Sequence, residues 1–155
     1  MSSLIYAFKH QGDLGLAAPL AALMLANPPP WLAECGTDWQ ILAMSLSRER
    51  RLQRGFNQTE ILAEHLAASL RLSVLPRHSV QRAHRPPQST LAAAERRRNV
   101  KNSFQVCADV RARNLLLIDD VATTGATLEE LARSLKKSGA AQVRAWTLAH
   151  AEMKK

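Results

Sequence analysis

Leu115-Leu116-Leu117-Ile118-Asp119-Asp120-Val121-Ala122-Thr123-Thr124-Gly125-Ala126-Thr127 reads as a strand, a turn and the start of a helix. After Asn114, four apolar residues follow without polar alternation, as in parallel strands covered on both faces. The turn is expected from Asp119 to Ala126. A helix is predicted from about Thr127 to Ser138, with Thr127 and Glu130 as a capping box and Leu128, Leu131 and Leu135 on one face. Lys136 and Lys137 suit its negative end, and Gly139 can stop it. Gln142 to Leu148 returns as a strand. This β-turn-α-β unit predicts an α/β fold with a mostly parallel central sheet flanked by helices.

Ligands of open α/β sheets bind beyond the carboxyl ends of the strands, where this turn falls. A turn rich in Thr, Ala and Gly at a helix start offers backbone N–H groups and a helix dipole to one phosphate. Gly125 permits close approach, and Thr123, Thr124 and Thr127 add hydroxyls. No Gly-Lys-Ser/Thr follows, so this is not a Walker loop. Asp119 and Asp120 suit hydroxyls or a metal rather than phosphate. A phosphate beside a diol, as in a ribose 5-phosphate, satisfies both halves. The plainer alternative is that the two acids only end a strand and cap a turn.

Upstream, Leu14–Ala26 reads as an amphipathic helix with Leu16, Leu20 and Leu23 on one face, stopped by Asn27-Pro28-Pro29-Pro30. Trp39–Leu46 has strand length. Asn57–Arg71 reads as a helix, capped by Asn57 with Glu60 three residues on and striped by Ile61, Leu62, Leu66 and Leu70. Leu72–Leu75 and Phe104–Cys107 are short strand candidates. Between them, residues 82–103 are polar and basic, and Ala92–Arg98 can form a short helix. So long a polar stretch in a compact domain points to a functional or mobile segment.

The 155 residues suit one domain, and 46% apolar with 22% charged residues is globular composition. The net charge is +8, and 15 of the 21 basic residues are Arg. Arg pairs phosphate with a planar fork, so a phosphate-bearing partner is expected. Aromatics are 5% of the chain, too few for stacking platforms along single-stranded nucleic acid. Cys35 and Cys107 cannot build a disulfide framework, and a reduced cytoplasmic protein is the expectation. Leu14–Ala26 is too short to span a membrane. Lys9 and His10 ahead of it raise a signal peptide, but the apolar residues before Lys9 and the adjoining Asp13 argue against one. His10, His65, His78, His84 and His150 lack metal-ligand spacing.

The peptide around Asp119-Asp120 resembles the phosphoribosyl-diphosphate (PRPP) motif of type I phosphoribosyltransferases. A second match narrows the resemblance. Arg54-Gly55-Phe56-Asn57-Gln58 before a helix, then Gln88 and Leu91, Arg98-Asn99 and Phe104, looks like the ComF/GntX family, linked to competence and DNA uptake. The likeness runs from about Tyr6 to Ala149. It implies one phosphoribosyltransferase-like domain over 1–155, with 1–30 as a helical segment in the place of a hood and 31–155 as the core. The family commonly carries a Cys-rich zinc module ahead of this domain, which Cys35 and Cys107 do not replace. It also tends to place prolines in its first core strand, where this chain has Ala43-Met44-Ser45-Leu46.

The resemblance implies that Asp119 and Asp120 hold the ribose hydroxyls. Ala122, Thr123, Thr124, Gly125, Ala126 and Thr127 would cradle the 5-phosphate. Pyrophosphate would lie near the loop after the Trp39–Leu46 strand, where Arg48, Arg50, Arg51 and Arg54 crowd together, either as ligands or as a solvated basic face. Residues 82–103 correspond to a loop that closes over such sites, with Arg82, Arg85, Gln88, Arg96, Arg97, Arg98 and Asn99 as its candidates. Mg²⁺ is expected to arrive with PRPP, with no direct protein ligands. Purine-salvage relatives place an Asp where this chain has Thr123, so a purine acceptor is not expected. Tyr6, Phe8 and Trp146 are the aromatics left to stack on a base, each more simply read as core. Three functions follow: Mg²⁺-dependent transfer of 5-phosphoribosyl to an unknown acceptor; a catalytically silent PRPP- or nucleotide-binding module acting with a helicase partner in DNA uptake; or single-stranded DNA binding through the Arg-rich loops. A homodimer follows by analogy alone.

Overall fold

The computed structural model describes residues 2–83 and 100–150. Helix α1 (Ser2–Tyr6) runs into a π-helical turn (Ala7–Gln11), and a 3-10 turn (Leu14–Leu16) leads into α2 (Ala17–Ala26). Another 3-10 turn (Pro30–Glu34) precedes β1 (Trp39–Ala43), α3 (Arg48–Arg54), α4 (Gln58–Leu70) and β2 (Ser73–Val74). Then come β3 (Val80–Arg82), β4 (Phe104–Val106), β5 (Asn114–Ala122), α5 (Ala126–Lys137) and β6 (Gln142–His150).

The main sheet has the order β2-β1-β5-β6, and every neighbouring pair is parallel. Strands β3 and β4 form a separate antiparallel pair with Arg82 opposite Phe104. Arg85, Gln88, Arg96, Arg97, Arg98, Asn99, His84 and the expected helix Ala92–Arg98 lie outside the described residues.

The apolar run of β5 is explained by helices on both sheet faces. Leu116 and Ile118 join Phe8, Leu20, Met24, Ile41, Leu62 and Leu66 on one face. Leu115 and Leu117 join Leu42, Val80, Phe104, Leu131 and Leu135 on the other. All four β5 side chains are fully buried, each contributing about 1.5–3 kcal/mol. Helix α2 departs from its expected stripe. It buries Ala17, Leu20, Ala21 and Met24, whereas Leu23 is exposed and Leu16 half-buried. The leucine spacing places Leu20 and Leu16 on the core side correctly, but Leu23 turns outward and the small alanines Ala17 and Ala21 take the rest of the buried face.

Three local expectations are corrected. Strand β5 pairs with β6 as far as Ala122, opposite His150, so Asp119 and Asp120 lie within the strand and the turn begins after Ala122 rather than at Asp119. Helix α5 starts on Gly125 at φ 73° with no side-chain cap. Glu130 instead accepts the backbone N–H of Asn102 (2.7 Å) and pairs with Arg133 (2.6 Å). Asn57 does cap α4, accepting from the Thr59 N–H at 3.1 Å, but Glu60 turns to Arg51 rather than closing a capping box. At the far end of α5, Gly139 adopts φ 96° and the Ala140 N–H returns to Leu135 O, as expected of a glycine stop.

Candidate functional site

Both acids lie at the carboxyl end of β5, next to β1, where the sheet opens into a cleft of about 160 Å³. Their surroundings differ sharply. Asp120 is buried and held on several sides. Lys9 Nζ lies 3.3 Å from Oδ1 and 3.1 Å from Oδ2, Gln58 Nε2 donates to Oδ2 at 2.9 Å, and the Val121 N–H donates to Oδ1 at 2.7 Å. Burial alone would raise this carboxyl; the Lys9 ammonium and the hydrogen bonds outweigh it and hold Asp120 below its ordinary value. Asp119 is half-buried, and its Oδ1 accepts the Asp120 N–H at 2.9 Å. Burial first, then the Asp120 charge, push its carboxyl up to about 7. One acid is thus a fixed anion and the other titrates near neutrality.

The turn forms the next wall. Ala122, Thr123, Thr124, Gly125, Ala126 and Thr127 all line the cleft. The left-handed Gly125 brings the chain directly from β5 into α5. The first turn of that helix therefore meets the cleft with backbone N–H groups that lack intrahelical partners by position. Such an end attracts an anion.

The arginines sort by helix geometry. The expected loop of Arg48, Arg50, Arg51 and Arg54 is helix α3, capped by Ser47, whose side chain accepts the Arg50 N–H. Arg50 and Arg54, one turn apart, line the cleft. Arg51 is drawn off to Glu60 (2.9 Å), and Arg48 is exposed and not part of the lining. Arg82 also lines the cleft, from β3 rather than from a loop. It stacks over Phe104 at 5.3 Å from the ring centroid and reaches Ser45 O at 3.5 Å. Burial, then the Arg50 charge, lower its pKa, with Asp119 pulling the other way. Two cations drawn together in a cleft suit a multiply charged anion.

Lys9 and Gln58 carry roles that the sequence reading did not assign. Gln58 stood within the quoted Arg54–Gln58 motif, whereas Lys9 had no signal beyond its charge. The aromatics do not reach the cleft: Phe8 and Trp146 are core, and Tyr6 is exposed. Among the described residues, no group of three or more His, Cys, Asp or Glu is placed to hold a metal ion, and no helix is long and apolar enough to cross a membrane.

An apolar strand carrying two acids near its carboxyl end, followed by a Thr-Thr-Gly turn in a cleft with arginines, is matched by a family profile. Residues 52–155 match the phosphoribosyl transferase domain. The chain belongs to that family. Over 150 residues it is 32% identical to DNA utilization protein YhgH of Escherichia coli O157:H7, covering 96% of this chain and 66% of that protein. It is 31% identical over 156 residues to competence protein F of Haemophilus influenzae, covering 97% and 68%. These relatives place this phosphoribosyl transferase domain in the competence-associated ComF group. The chain spans 66% of the length of the first of these curated relatives. Among solved structures, glutamine PRPP amidotransferase from B. subtilis, complexed with ADP and GMP, aligns at a TM-score of 0.55. Identity is 12%, over 87% of this chain and 26% of that one, a likeness of fold.

Proposed function

We propose that this domain binds PRPP and transfers its 5-phosphoribosyl unit to an acceptor. The observation that carries the reading is one cleft shared by the Asp119–Asp120 pair, the Ala122–Thr127 turn and Arg50, Arg54 and Arg82. The turn and the α5 N-terminus suit the 5-phosphate, Asp119 the ribose hydroxyls, and the three arginines the pyrophosphate. Asp120, already committed to Lys9 and Gln58, anchors the end of the strand beside it.

In the transfer, the acceptor's lone pair forms a bond to the anomeric carbon. The carbon–oxygen bond to pyrophosphate breaks, and pyrophosphate leaves with the electron pair. A proton carried by the acceptor nucleophile passes to solvent. The domain contributes position and electrostatics: arginine charge at the departing group and a fixed sugar. With Asp120 engaged by Lys9 and Gln58, the cleft leaves Asp119 for a cation, which fits a hard cation delivered on the ligand better than a resident one. Magnesium bound this way supplies further neutralisation of the departing pyrophosphate.

A second reading takes its DNA connection from the relatives' names, DNA utilization protein and competence protein: a PRPP- or nucleotide-binding module without turnover, acting with a helicase or single-stranded DNA partner. Calorimetry with PRPP, with and without Mg²⁺, followed by labelled PRPP over a broad acceptor panel, separates the two. Saturable binding with product supports transfer. Binding without product supports the module. No binding by a chain whose Asp120→Asn variant behaves identically overturns both.

A further inference from the structure

Helix α3 sends two arginines to α4, and the two end differently. Arg51 meets the Glu60 carboxylate at 2.9 Å and does not line the cleft of Asp119 and Asp120. Arg54, the last residue of α3, meets the Gln58 carboxamide and does line it. Its Nη1 donates to Gln58 Oε1 at 3.3 Å. A carboxylate pairs with a guanidinium and neutralises it. A carboxamide oxygen holds the guanidinium in place and leaves its charge uncompensated by that contact.

Gln58 is itself held firmly. It is buried at the start of α4, and that end of the helix is fastened to the sheet. Asn57 Nδ2 donates to Met44 O at 3.0 Å, and the Met44 N–H donates to Ile118 O at 2.8 Å. Gln58 Nε2 donates to Asp120 Oδ2 at 2.9 Å. An ionised carboxylate only accepts and a guanidinium only donates, so the amide between them has one orientation. The row runs from anion to cation, and each hydrogen bond polarises the next. On its other side Asp120 meets the Lys9 ammonium at 3.1 Å, so the charge of this acid is matched there rather than at Arg54.

We propose that Gln58 is a positioning residue for anion binding: acting through Arg54, it aims the guanidinium into the cleft and keeps its charge available to a polyphosphate. That the polyphosphate is the pyrophosphate of PRPP rests on the phosphoribosyl reading above. A carboxylate in place of Gln58 would repeat the Arg51–Glu60 pair, and an apolar side chain would leave the guanidinium without a guide.

Pyrophosphate and ribose 5-phosphate, titrated separately into the full chain by calorimetry, are the probes. Gln58→Met keeps the length of the side chain and removes both of its hydrogen bonds. It is expected to weaken pyrophosphate binding roughly fivefold to tenfold and ribose 5-phosphate binding less than about twofold. The double variant with Arg54→Met is expected to bind pyrophosphate no more weakly than Arg54→Met alone, because Gln58 acts through that side chain. If Gln58→Met fails to fold, the unaltered chain carries the test: pyrophosphate is expected to shift the Gln58 side-chain amide resonances, and Arg54→Met to suppress the shift. Equal losses for the two probes, additive losses in the double variant, or Gln58 amide resonances that pyrophosphate leaves unmoved overturn the inference. No pyrophosphate binding by the unaltered chain overturns it together with the phosphoribosyl reading. A Gln58-dependent pyrophosphate response without any ribose 5-phosphate response overturns the phosphoribosyl reading and leaves the role of Gln58 standing.

Discussion

Lys9 and Asp120 are 111 positions apart in the chain, yet the Lys9 ammonium lies 3.1 Å from the Asp120 carboxylate. This contact ties the N-terminal segment to the end of β5, and with Gln58 it decides which acid of the pair is permanently ionised. Removing the ammonium leaves a buried carboxylate short of charge compensation. Lys9→Met is expected to cost about 1.5–3 kcal/mol of stability. Chemical denaturation at neutral pH measures it, and Lys9→Arg is expected to recover most of the loss.

Asp119 carries the pH dependence. Its carboxyl stands near 7 in the folded chain, against 3.8 for the unperturbed group. The native state therefore holds this proton more tightly than the unfolded state between those values. The associated stability is fully present below the lower value and is lost as pH rises through about 7. Asp119→Asn is expected to flatten that decline, melting above the parent at alkaline pH and not at acid pH. Thermal melts across the range check it.

The same titration bears on the ligand. Ribose hydroxyls donate better to a carboxylate than to a carboxylic acid. PRPP affinity is expected to rise as Asp119 ionises, and Asp119→Asn to bind weakly with a shallower pH slope. Calorimetry on both chains at several pH values tests this, and the variant controls for titration of the phosphates themselves.

Gly125 is the left-handed residue that joins the turn after β5 to helix α5. A Cβ there would meet nothing closer than Glu129 Oε1 at 3.9 Å, so the penalty of Gly125→Ala lies in the left-handed backbone. The expected cost is about 1–2 kcal/mol, with weaker phosphate binding as the turn relaxes. Denaturation and a ribose 5-phosphate titration read the two effects separately.

Glu130 fastens the segment entering β4 onto α5 through the Asn102 N–H and Arg133. Glu130→Gln is expected to speed hydrogen exchange at Asn102 and its neighbours while leaving β5 protected. Uniform loss of protection would show instead that Glu130 supports the whole fold.

The sheet was legible because the Leu115–Ile118 run could be satisfied only by cover on both faces. Asn57 was legible because a cap acts within two residues of itself. Glu60 and Glu130 were misread for one shared reason. Each has the spacing of a capping box, and each found a partner that spacing does not reveal, Arg51 and the Asn102 N–H respectively. The Arg cluster was visible as charge, but its sorting needed the helical phase of α3, which turns Arg50 and Arg54 to the cleft and Arg51 to Glu60. Lys9 was invisible because its role depends wholly on the fold bringing the Ala7–Gln11 turn to the carboxyl end of β5.

The most direct test of the central claim is a ribose 5-phosphate titration followed by amide resonances along the chain. The account predicts saturable shifts concentrated at Val121–Thr127, with the Thr123–Thr127 amides moving furthest and Asp119→Asn weakening the effect. Binding that leaves these amides unmoved, or no binding at concentrations that saturate other phosphate sites, would contradict it.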